Sequence, residues 1–83
     1  MNDSIAVTTC VPFDLCNSAP LFSVNPGVPV DEALARAAGL MRYVEALAAA
    51  DAFYDKVLEA GAIQTLSEMA KALVVSARGG AAG

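Results

Sequence analysis

Apolar residues in this chain follow two regimes. From Val30 to Ala77 they recur at helical spacing, and before that they are scattered among prolines, β-branched residues and turn formers. In the first helical stretch Val30, Leu34, Ala37, Met41, Val44 and Ala48 form a stripe, with Ala33, Leu40 and Leu47 beside it. Such a stripe predicts an amphipathic helix with Asp31, Glu32, Arg36, Arg42, Tyr43 and Glu45 turned away. Pro29 suits a first helical position, and Asp31 and Glu32 stand where carboxylates meet the free amides of the first turn. Glu32 and Arg36 have i,i+4 spacing. Gly39 inside a helix costs about 1 kcal/mol relative to alanine, and its alanine-rich surroundings predict a close helix crossing. A second stripe, Leu58, Ala62, Leu66, Met69 and Leu73, is flanked by Ile63, Ala70, Val74 and Ala77. Arg78 followed by Gly79-Gly80 predicts a helix end, with a flexible tail over residues 79–83. No Gly or Pro separates the stripes. One unbroken helix would demand a long coiled coil, yet no strict heptad holds through the junction. A turn is therefore expected over Ala50 to Phe53, with the second helix from Tyr54 to Ala77.

Upstream, Leu21–Val24 is the best strand candidate, bounded by Pro20 and by Asn25-Pro26-Gly27, a sequence suited to a type II turn. Alternation sets Leu21 and Ser23 on one face, Phe22 and Val24 on the other. The preceding segment "SIAVTT" has the composition of another short strand, but Pro12 and Pro20 break up residues 1–19, which predicts a flexible or loosely packed arm. Residues 20–78 then form the domain. A lone strand must find a partner for its amides. A second copy of the chain would supply one, with Phe22 and Val24 facing four shared helices. The alternative is extended chain lying along its own helical hairpin. The expected fold is thus mainly α: two amphipathic helices in a hairpin, preceded by a short β-segment, dimerising into a four-helix arrangement.

Composition reinforces self-association. A chain of 83 residues, 57% hydrophobic and 17% charged, is one small domain that buries only about 60% of its unfolded surface. Excess apolar surface is hidden most simply by a homodimer. The expected dimer or partner interface comprises Leu21, Phe22, Val24, Leu40, Met41, Val44, Leu66, Met69 and Leu73. A net charge of −4 argues against nucleic acid and anionic membrane surfaces as partners. The five basic residues, Arg36, Arg42, Lys56, Lys71 and Arg78, form no cluster.

Little chemistry is on offer. With two cysteines and no histidine, one chain assembles neither a closed zinc site nor a His-based catalytic site, so no cofactor or metal is expected. Cys10 and Cys16 have five residues between them, which is not redox-motif spacing; a regulated disulfide is the one functional version open to them. Asp31 and Glu32 diverge by about 100° on a helix and do not make a catalytic pair. Asp51 and Asp55 lack the further oxygen ligands a cation requires. "PGVPVDEAL" has one glycine, no Gly-Lys and two acids, so it is no phosphate loop. The N-terminus has no basic region or long apolar core, and no stretch reaches a membrane span, so a cytoplasmic location is expected.

The run "LFSVNPGVPVDEALARAAGLM" together with "LSEMAKALV", residues 66–74, resembles a family of short bacterial proteins of unknown function. In those a Leu-Phe-Ser-Val quartet, a Gly-Val-Pro helix start and a Leu-Ser-Glu-Met-Ala-Lys-Ala-Leu helix recur. The resemblance spans roughly residues 20 to 75 and carries no activity. The functional expectation is a non-catalytic interaction or regulatory module, a homodimer with room for an unidentified protein partner. Two alternatives differ in class. One is a ribbon-helix-helix-like DNA-binding regulator, although Leu21, Phe22, Ser23 and Val24 offer little to base edges. The other is an apolar-ligand carrier with a pocket lined by Leu40, Met41, Phe53 and Met69.

Overall fold

The strand has its partner within the chain. A computed structural model describes residues 5–51 and 53–82, and in it two strands precede two helices: β1 Val11–Cys16, β2 Ala19–Val24, α1 Val30–Ala50 and α2 Lys56–Ala82. β1 and β2 form an antiparallel hairpin with Val11 opposite Val24, Phe13 opposite Phe22 and Cys16 opposite Ala19. Asn17 opens the two-residue loop with φ 59°, the positive angle that tight hairpin loops need and Asn tolerates. The Phe13 and Phe22 rings stack across the strands at 5.9 Å. This corrects two expectations at once. Leu21–Val24 is not a lone strand, and residues 11–16 of the expected loose arm are a strand; residues 1–4 lie outside those described.

α1 begins one residue later than predicted, with Pro29 as its N-cap at φ −53°, ψ 135°. It ends where Asp51 turns left-handed, at φ 51°, ψ 44°. α2 starts at Lys56 rather than Tyr54, because Asp55 caps it: Val57 N–H and Leu58 N–H donate to Asp55 Oδ1 at 3.0 and 3.2 Å. The carboxylate satisfies two of the first-turn amides that no helical carbonyl reaches. Lys56 pairs with Asp51 across the turn.

The helices meet along Ala37 and Leu40 of α1 and Ala70 of α2, with Leu66, Met69 and Leu73 packed around them. Ala33, Ala37 and Leu40 are the buried residues of the α1 seam, while Leu34 and Met41, placed in the predicted stripe, are exposed. The seam is therefore turned from the predicted stripe toward Ala33 and Leu40. α2 is the shared element, touching α1 and also the hairpin, chiefly β1.

The segment before β1 is pinned from both sides. Thr8, 2% exposed, donates from N–H to Val28 O (2.7 Å) and accepts from Gly27 N–H at its carbonyl (3.0 Å). Its hydroxyl donates to Asn25 O (2.8 Å) and accepts from Val28 N–H (3.0 Å). One buried threonine thus saturates the turn that launches α1. Thr9 O accepts from the Ser76 hydroxyl, and Val30 N–H donates to Ala6 O at 2.9 Å.

That strap explains the C-terminal glycines. A Cβ on Gly80 would overlap the Val7 carbonyl, and one on Gly79 would lie 2.9 Å from Thr9 Oγ1. The predicted stop at Arg78 is not a stop: α2 continues through Ala82, and the glycines admit the strap. Gly83 lies outside the described residues. Gly39, expected at a close crossing, has nothing within 4 Å of where its Cβ would stand.

Candidate interaction surface

The residues expected at a partner interface divide into two sets. Val24 and Leu40 are buried, Leu66, Met69 and Leu73 pack against the chain's own core, and Val44 is half-buried. Leu21, Phe22 and Met41 remain exposed. Of these, Met41 belongs to the larger continuous surface.

The two helices form a layer with different sides. On one side the hairpin packs on α2, and a cavity of about 370 Å³ separates it from α1, lined by Phe13, Val24 and Val28 with Ala33, Arg36 and Met69. On the other side Leu34, Ala38 and Met41 of α1 face Val74 and Val75 of α2 across an open groove, with Lys71 and Arg78 at its edge. Successive helical residues advance by about 100°, so Leu34 and Arg36 necessarily look to opposite sides. Leu34 is 42%, Met41 43% and Val74 38% exposed, which is substantial for large apolar side chains sharing one groove.

Each helix continues its side of the groove as a charged rail. On α1 the spacing Asp31, Leu34, Ala38, Met41, Glu45 alternates steps of three and four, the signature of a single helical seam. On α2 the matching row is Ser67, Lys71, Val74, Arg78. The α1 rail is acidic at both ends and the α2 rail is basic. All four charged side chains are exposed, and the ion pairs among the described residues involve Lys56 with Asp51 and Glu59 instead.

Shape agrees with an uncovered face. The molecule measures 56 × 30 × 14 Å with a radius of gyration of 14.9 Å, whereas a compact chain of this length has one near 12 Å. Its accessible surface is 5808 Å², against about 4,600 Å² for a folded monomer of the same mass.

Other expected chemistry is not assembled. Of the four residues of the expected carrier pocket, Leu40 is in the core, Met41 lies in the open groove, Phe53 is at the helix turn and Met69 faces the hairpin. That pocket does not exist as drawn. A ribbon-helix-helix dimer pairs one strand from each copy, whereas β2 here is paired with β1 of its own chain. Cys10 is an exposed free thiol. Among the described residues no three metal-ligating side chains come together, and no helix is long and apolar enough to cross a membrane.

The architecture defines a small two-helix domain whose β-hairpin packs on α2. Residues 7–77 match a family described as proteins of unknown function, DUF3077, and the chain belongs to that family. No curated protein and no solved structure matches it.

Proposed function

We propose that this protein is a non-catalytic interaction module that acts as a homodimer through the open face of its helical layer. The observation that carries the reading is the groove of Leu34, Ala38, Met41 and Val74, an apolar seam on two packed helices that none of the described residues covers. A domain normally buries each apolar helix stripe against another layer, and a second copy provides that layer. The surface excess of about 1,200 Å² over a compact monomer exceeds the roughly 800 Å² per partner of a standard interface.

The chain carries out no reaction of its own in this reading; it presents surface, including the exposed Leu21 and Phe22 of β2, to a further protein. The test is the native mass of the full chain by light scattering at micromolar concentration. Wild type is expected to be a dimer and Met41→Asp a folded monomer, since the carboxylate would be stranded in the apolar interface. A wild-type monomer throughout the micromolar range would refute self-association.

A further inference from the structure

The charges along the groove specify how two copies meet, given the self-association proposed above. We infer that the two-fold axis runs parallel to the helices, so that α1 of each copy lies on α2 of the other and Asp31 pairs with Arg78 of the partner subunit.

The starting point is height along the hairpin. A Cβ on Gly80 would lie 3.4 Å from Val30 Cγ2, so the start of α1 is level with the last turns of α2. Asp31 and Arg78 therefore stand at the same end of the layer, on different helices. Both are exposed, and neither has an ion-pair partner among the described residues.

Two face-to-face arrangements bury the groove. An axis parallel to the helices preserves height and exchanges the helices. The acidic rail of one copy then lies on the basic rail of the other, and symmetry makes the Asp31–Arg78 pair twice. Neighbouring helices are antiparallel in this arrangement and in the alternative, so their dipoles do not choose between the two. An axis in the same plane but across the helices reverses height and sets α1 on α1 and α2 on α2. Ala38 is midway between Asp31 and Glu45 in the chain, so that arrangement would bring acid over acid. On the other helix Ala38 is level with about residue 72, counting equal rises from Val30 and Gly80, so the same axis would bring Lys71 over Lys71 of the partner subunit. Like charges facing each other across an interface disfavour that arrangement. The apolar groove fits both arrangements; the charges fit one. In it Leu34, Met41 and Val74 form the second seam of a four-helix bundle, and the β-hairpins are on its two outer sides.

A dilution series by sedimentation or light scattering on the full chain tests this with wild type, Asp31→Arg, Arg78→Asp and the double variant. Each single substitution sets like charges opposite each other at two symmetric places and is expected to weaken the dimer about tenfold or more. The double variant restores opposite charges and should return to within a few-fold of wild type. Arginine in the first turn of α1 is unfavourable on its own, but the double variant carries it too, so recovery reports the pairing. Matching far-UV circular dichroism confirms that the variants fold. A wild-type dimer whose double variant is no tighter than the singles would overturn this geometry and leave self-association standing. A monomeric wild type would overturn both.

Discussion

Alanine at Gly80 and alanine at Gly39 should move stability in opposite directions, although both glycines are in helices. Alone, helix propensity favours either replacement by up to about 1 kcal/mol, because alanine has less freedom to lose on folding. At Gly39 nothing stands within 4 Å of the new methyl, so the gain is expected to survive. At Gly80 the methyl would overlap the Val7 carbonyl, and that carbonyl is backbone in a tethered strap. Moving the strap strains the hydrogen bonds of Ala6 and Thr8 to the turn; moving the helix unwinds its last turn. The cheaper escape forfeits two or three hydrogen bonds at about 1 kcal/mol each. Less the propensity gain, Gly80→Ala should lose roughly 1–2 kcal/mol. In a domain of this size 1 kcal/mol shifts Tm by about 4–8 °C, so Gly39→Ala should melt several degrees above wild type and Gly80→Ala several degrees below. Gly79→Ala should fall between, since the Thr9 side chain it meets can rotate. Thermal unfolding by circular dichroism at one fixed concentration reads all three, the concentration being held because dimerisation stabilises by mass action. A Gly80→Ala protein as stable as Gly39→Ala would refute the close approach of strap and helix.

Further predictions concern single side chains. Thr8→Val keeps the shape but removes a hydroxyl that serves Asn25 O and Val28 N–H. Two backbone groups of a part-buried turn lose their partner, and urea denaturation should show a loss of about 1–3 kcal/mol, with Thr8→Ser recovering most of it. Asp55→Ala removes the cap of α2 and should cost about 0.5–2 kcal/mol, whereas Asp55→Asn should cost much less; a neutral alanine variant in the same denaturation assay would contradict the capping geometry.

Local rules made the helices legible. Apolar periodicity, Pro29 with its following acids, and the lack of a coiled-coil heptad across the junction all act within a turn or two, and they predicted two helices and the turn between them. Leu21–Val24 was legible as a strand for the same reason. Its neighbour was not, because Pro12 and Pro20 mask the alternation of a hairpin and the signal of Asn17-Ser18 depends on two strands already being there. The glycines at 79–80 misled through their usual meaning: glycine after a helical stripe normally ends the helix, but here a segment about seventy residues away in the chain needs the space. Long-range packing alone decides that.

The phase of the helices belongs to the same class. The sequence by itself determined that α1 is apolar over a broad arc, from Ala33 through Ala37 and Leu40 to Leu34 and Met41. Only the tertiary structure decided which part of that arc meets α2 and which is left open, because an apolar side chain is equally favoured against any dry surface and the hydrophobic effect has no direction. Thr8, whose chemistry is ordinary in any arm, became the peg of the α1 turn by the same route: its hydroxyl matters only once folding has buried it and brought Asn25 O and Val28 N–H within its reach.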